Sequence, residues 1–242
     1  MKPGGSAQIA ERLHRLHEEI AGIAARHGRE PSSVRLIAVS KTRSIDEVAA
    51  ALGEGQIDFG ENTMQDALSK IPEFESTEAS WHFIGHLQSN KTNKLAGRFD
   101  WIHSIDSFKL LQRLQHSLEV VDAAPLQCLL QVNLSGEESK SGLAPAQVPA
   151  LMEQVQQAGL DRIALRGLMT IGVADDESGT AKVFAECREL GERIRQDAGL
   201  TGFDQLSMGM SGDYALAIAE GATMIRLGTA IFGARDYGRD AL

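Results

Sequence analysis

The chain has only two cysteines in 242 residues, Cys128 and Cys187, and they form no C-x-x-C pair. That spacing excludes a disulfide framework and a cysteine zinc site. Aromatic residues make up 5% of the sequence, with two tyrosines, Tyr214 and Tyr237, so phenolic acid–base chemistry has few candidates. Positive charge is in deficit. The 24 Lys and Arg against 33 Asp and Glu leave a net charge of -9, and a phosphate-backbone partner such as nucleic acid is not expected. No apolar run nears the ~18 residues of a membrane helix. The first twenty residues break into charges before a signal-like apolar segment could form. The composition therefore reads as a reduced, cytoplasmic protein with no membrane partner.

What is present is a rhythm. Short apolar or β-branched runs alternate with longer amphipathic ones, with turn residues between them. Eight runs read as strands: 34–42, 58–62, 81–88, 101–106, 126–134, 164–172, 203–211 and 224–233. Helical patterns fill 7–26, 44–52, 107–121, 145–158, 177–198 and 213–220, with shorter pieces at 63–70 and 90–96. Ser44 followed by Glu47 is a capping box, and Pro145 and Gly159 bracket a helix in the expected order. Strict strand–helix alternation without hairpins implies parallel pairing. Eight such units close most naturally as a (β/α)8 TIM barrel with an extra N-terminal helix, a fold that takes about 250 residues as one domain. The expectation is a single barrel domain over 1–242.

In such a barrel, function sits at the carboxyl ends of the strands. Those ends carry Lys41, Asn62, His86, Asp106, Asn133, Met169, Met208 to Ser211, and Gly228-Thr229. Lys41 shares a strand face with Ile37 and Val39, so its ammonium is pushed toward the neutral, nucleophilic amine, which can form a Schiff base. The alternative is a lysine that reaches out of the mouth to pair with Glu61 or Asp106. Arg226, inside MIRLG, needs either a core carboxylate or a ligand. The segments SMGMSGD (207–213) and RLGTAIFG (226–233) pair small hydroxyls with glycines after strands 7 and 8. That is a common place for a phosphate, here offered Ser211, Gly228 and Thr229. His82 and His86 lack a supporting carboxylate motif for zinc, and His103 reads equally well as a packed core histidine.

These residues resemble the pyridoxal-phosphate homeostasis family, relatives of the alanine racemase barrel. The resemblance rests on AVSKT at Lys41, FGEN at Asn62, HFIGHLQSNK over 82–91 and SIDS at Asp106. It continues through SKSG over 139–142, GLMTI at Met169, SMGMSGD at Ser211 and IRLGTAIFG at Arg226. It implies an alanine-racemase-like barrel that carries pyridoxal 5'-phosphate (PLP) as a Schiff base on Lys41. Arg226 would face the ring nitrogen, Ser211, Gly228 and Thr229 the phosphate, and Asn62 the ring, with Met208 counted among the cofactor-binding residues. One departure is Thr63-Met64-Gln65-Asp66, where the family has an aromatic and then Val-Gln-Glu.

An arginine at the ring nitrogen leaves it unprotonated and the ring a weak electron sink. In the racemases similar to this barrel, the opposing base is a tyrosine from a second domain. Here the barrel takes up the whole length, and neither tyrosine ends a strand facing Lys41. The resulting expectation is a non-catalytic, monomeric PLP carrier in vitamin B6 homeostasis, with apo PLP-dependent enzymes as recipients. A PLP-dependent amino-acid racemase is the alternative, and a cofactor-free Schiff-base aldolase a third reading.

Overall fold

The computed structural model describes residues 5–234. Eight parallel strands pair in sequence order and close: β1 (Arg35–Val39), β2 (Asp58–Glu61), β3 (Ser80–Phe83), β4 (Trp101–Ile105), β5 (Leu126–Gln131), β6 (Ile163–Met169), β7 (Gln205–Ser207) and β8 (Met224–Leu227). The seam between the first and last strands sets Ile37 opposite Arg226 and Ala38 opposite Leu227. This is the (β/α)8 barrel that the alternation implied.

The helices follow from the same patterns. The leading helix α1 (Gly5–Arg26) buries Ile9, Leu13, Leu16, Ile20 and Ile23, the stripe spaced at three and four residues. After β1 comes α2 (Ile45–Gly53), held at its start by the reciprocal Ser44–Glu47 cap. Two short helices, α3 (Met64–Leu68) and α4 (Thr92–Leu95), follow β2 and β3. The longer α5 (Phe108–Val120), α6 (Val148–Ala158) and α7 (Glu177–Asp197) come next, then α8 (Tyr214–Ala219) and α9 (Thr229–Phe232). Gly159 stops α6 with a φ of 61°, the left-handed cap expected of it. The α1 helix lies against α2, α8 and α9, on the side where β8 meets β1.

Most strands are shorter than the sequence pattern suggests, because the ladder ends where the mouth loops begin. Residues 84–88 lie beyond β3, and 229–232, expected as strand, turn into α9 immediately after Gly228. Two apolar layers result. One fills the space between sheet and helices; the other, Ile37, Trp101, Leu129, Met169 and Met224, sits inside the barrel. The barrel interior is not wholly apolar: Asp58, His82, His103, Ser207 and Arg226 are buried within it. No helix among the described residues is long and apolar enough to cross a membrane.

Candidate functional site

A cavity of about 250 Å³ lies at the carboxyl ends of the strands. Its lining draws on the end of β1 (Val39, Lys41), the residue after β2 (Asn62), the loop after β7 (Met210, Ser211) and β8 with its following turn (Arg226, Gly228, Thr229). The structure thus brings together six of the seven residues expected at the site. Met208 is the exception. It does not line the cavity but is fully buried in the layer between sheet and helices. Strand alternation explains this: Ser207 points into the barrel, so its neighbour points out. The sequence reading also missed Arg43, Ile84 and Ile171 in the lining. Arg43 reaches the mouth because Thr42 takes a φ of 64°, a left-handed bend that no residue pattern announced.

Charge in this lining is of one sign. Lys41, Arg43 and Arg226 face the cavity, and no carboxylate does among the described residues. Glu61 and Asp106, the carboxylates considered for Lys41, stand outside this lining. Asp106 lies 3.8 Å from His86. Glu61 Oε1 accepts from Ser40 Oγ at 2.7 Å and from Lys70 Nζ at 2.8 Å. The guanidinium of Arg226 is pulled down to about 10 by burial, and it remains a cation at neutral pH. Among the described residues Arg226 meets no core carboxylate; it donates to Ser207 Oγ at 2.7 Å and to the Thr170 carbonyl at 3.2 Å. The guanidinium of Arg43 is anchored on the Gly233 carbonyl at 2.6 Å.

Behind Lys41 lies a buried network that the sequence did not reveal. Lys70, 2% exposed, donates to the Ser40 carbonyl at 2.7 Å and to Glu61, and pairs with Asp66 at 2.9 Å. Asp66 also accepts the Thr42 amide at 2.7 Å. Ser40 and Thr42 flank Lys41, so the network grips the chain on both sides of it. The departure at 63–66 is part of this grip, since the Thr63 hydroxyl accepts from the Asp66 amide and starts α3. Burial would raise Asp66, but the Thr42 amide and Lys70 outweigh it and hold the carboxyl below its ordinary value. For Glu61 burial prevails over Lys70 and Ser40, and its carboxyl rises to about 7. Lys70→Met leaves that buried carboxyl without its cation. It should cost about 3 kcal/mol at pH 8 and clearly less at pH 5, where a protonated Glu61 needs no partner. Urea midpoints at the two pH values check this, and an equal loss at both would contradict it.

One atom in the site asks for a ligand: Asn62 Oδ1 is buried and has no hydrogen-bond partner. With the cationic lining and the hydroxyls of Ser211 and Thr229, it suits a polar, doubly anionic molecule of modest size. Tyr214 does not contribute, because its hydroxyl donates to Glu19 on α1 at 2.6 Å, and Tyr237 lies outside the described residues.

Fold and site together define a class: a barrel of the alanine racemase N-terminal type with an anion-accepting, lysine-bearing mouth. The family model described as alanine racemase, N-terminal domain, matches residues 12–236. The chain is 47% identical over 234 residues to the pyridoxal phosphate homeostasis protein of Pseudomonas aeruginosa, covering 96% of this chain and 98% of that one. It is 42% identical over 238 residues to its namesake in Escherichia coli, covering 96% and 98%. The chain belongs to the pyridoxal phosphate homeostasis protein family. Among solved structures, PipY of Synechococcus elongatus with PLP bound matches with a TM-score of 0.81 and 39% identity over 93% of this chain and all of that one. Alanine racemase from Corynebacterium glutamicum shares the fold, with a TM-score of 0.70 at 16% identity. It covers 95% of this chain and 62% of the racemase.

Proposed function

We propose that the chain works as a single PLP-binding barrel in the cytoplasm, holding the cofactor on Lys41 and releasing it to apo-enzymes, with little or no turnover of its own. The observation that carries this reading is the cavity lining of three cations and no carboxylate. A phosphate monoester is close to a dianion at neutral pH, and such a lining favours it over a zwitterionic or cationic ligand. Ser211, Gly228 and Thr229, which line the cavity, would take the phosphate. Asn62 Oδ1 offers an unsatisfied acceptor beside the ring, and Arg226 is a donor for the ring nitrogen. Met208 backs the β7 loop from the layer between sheet and helices. The names of the relatives and the PLP-bound PipY structure support the same ligand.

When bound, the cofactor supplies an electrophilic aldehyde and an electron-withdrawing ring. Lys41 is the amine that can condense with that aldehyde, with loss of water. Arg226 cannot act as the carboxylic acid that would protonate the ring nitrogen, which leaves the ring a poor acceptor of negative charge. Apart from Lys41, the cavity-lining groups that can carry a proton are Arg43 and Arg226, both poor general bases. A second base opposite Lys41 is therefore missing among the described residues, which supports binding over racemisation.

The test is a titration of purified protein with PLP, followed in the visible spectrum. Wild type should take up the cofactor with a lysine-linked absorbance, and Lys41→Ala should abolish that band. A wild type that takes up no PLP would overturn the proposal. Exchange of solvent deuterium into Cα of L- and D-amino acids should not exceed that of Lys41→Ala; clear exchange would return the racemase reading.

A further inference from the structure

On the side of Arg226 away from the cavity, a line of hydrogen bonds runs down through the barrel. Arg226 Nη1 lies 2.7 Å from Ser207 Oγ, and Ser207 Oγ lies 2.8 Å from His103 Nδ1. His103 Nε2 is 2.9 Å from His82 Nδ1, and His82 Nε2 is 2.9 Å from Asp58 Oδ1. Asp58 begins β2 at the opposite end of the barrel, with Arg35 Nη1 at 3.7 Å. Both histidines and Ser207 are fully buried.

The two ends dictate the direction of every proton between them. A guanidinium only donates, so Ser207 Oγ accepts from Arg226; an ionised Asp58 only accepts, so a neutral His82 donates to it, His103 donates to His82, and His103 Nδ1 is left as the acceptor of the Ser207 proton. His103 then carries its proton on Nε2 and donates to His82 Nδ1. His82 likewise carries its proton on Nε2 and donates to Asp58, which accepts when ionised. Each link is satisfied once, with both rings neutral, as their burial demands. Reversing any link leaves a buried donor facing a donor, or a lone pair facing the Asp58 oxygen. His82 is also held as a ring: Trp101 stacks on it at 5.6 Å with planes 6° apart, and Arg35 lies 5.3 Å over that indole.

We propose that Asp58, His82, His103 and Ser207 form a one-way positioning chain that commits the Ser207 proton to His103, so turns the Ser207 lone pairs to Arg226 and fixes the direction in which Arg226 presents its remaining donors to the cavity. The inference rests on the PLP reading for the identity of the ligand, but not for the chain itself. A consequence is that Asp58, at the far end of the barrel, influences binding at the mouth. The chain points outward from Arg226 to Asp58. It therefore positions an arginine that can only donate and offers no route for delivering a proton to the ring nitrogen.

Two measurements test it. In the full chain without cofactor, 15N spectra of labelled histidine should show His82 and His103 as Nε2–H tautomers at pH 7.5, with assignments from His82→Gln and His103→Gln. An Nδ1–H His103 overturns the chain. In the second, Ser207→Ala should weaken PLP binding about tenfold, the effect of one lost buried hydrogen bond to a charged group, and move the visible band. Ser207→Thr, which keeps the hydroxyl, should stay near wild type. Asp58→Leu should weaken binding in the same sense, and Asp58→Asn, which keeps an acceptor, should restore it. Ser207→Ala with wild-type affinity and spectrum overturns the proposal even if it melts earlier, because a purely structural role would do just that. If Ser207→Ala does not fold, the wild-type tautomers decide. If wild type takes up no PLP, the proposed function fails while the tautomers still judge the chain.

Discussion

Gly85→Ala should cost several kcal/mol of stability and remove Asn62 from the cavity. A Cβ at Gly85 would lie 1.9 Å from the Asn62 carbonyl oxygen, 2.7 Å from its carbonyl carbon and 2.9 Å from its Cα. All three are backbone atoms, so no rotamer change relieves the clash. The chains leaving β2 and β3 must separate by about 1.5 Å or more to reach ordinary contact. The Ile84 amide to Glu61 carbonyl bond, 2.9 Å, joins them at this point, and Ile84 and Asn62 both line the cavity. Overpacking of this kind costs about 3 kcal/mol or more when backbone must move. PLP affinity should fall at least tenfold through loss of the Asn62 contact. Gly60→Ala is the control: its Cβ meets only the flexible ends of Ile37 and Ile84, at 3.1 Å, and should cost less. Urea denaturation and a PLP titration read both effects, and a Gly85→Ala protein with wild-type midpoint and affinity would refute the argument.

The second large effect is on stability below neutral pH. Burial holds His103 well below its ordinary 6.5, helped by the charges of His82, Arg226 and Arg35. Burial also lowers His82, against the upward pull of Asp58. In the unfolded chain both titrate near 6.5. Their contribution is therefore complete above that pH and is lost as pH falls below it, when the unfolded chain binds protons that the fold refuses. Each histidine removes at most about 1.4 kcal/mol per pH unit, and only until the pH reaches its folded-state pKa. Glu61 works in the opposite sense. With its carboxyl raised to about 7 from an ordinary 4.5, its contribution is complete below 4.5 and erodes as pH rises to 7. The two trends together place the stability maximum near pH 6.5. Urea midpoints at pH 5, 6.5 and 8 should show it, and a flat profile between 5 and 6.5 would contradict the account of the histidines.

Those histidines also show where sequence reading stops. His82, His103, Ser207 and Arg226 stand on four different strands, up to 144 positions apart in the chain. Alternation can assign each to the inward face of its own strand, but only barrel closure makes them neighbours. The same holds for Lys70. Its sequence context, ALSKIP, reads as a helix end, and its burial against Ser40 and Glu61 depends on how α3 folds back over β1. Met208, absent from the cavity lining, shows the converse. It belongs to a motif that shapes the site, yet alternation directs it outward into the helical layer.

By itself the sequence determined the architecture and six of the residues that line the cavity. Hydrophobic period and turn chemistry are local properties, and eight repeats of strand and helix admit few closed arrangements. Strand ends then converge on one mouth, so Lys41, Asn62, Ser211, Arg226, Gly228 and Thr229 were legible as a set. Only the tertiary structure decided what holds those residues in place: the Lys70 network gripping Lys41 from both sides, and the histidine chain behind Arg226. Hydrogen bonds between distant strands depend on register and side-chain direction to within a few tenths of an ångström, and that information exists only once the barrel has closed.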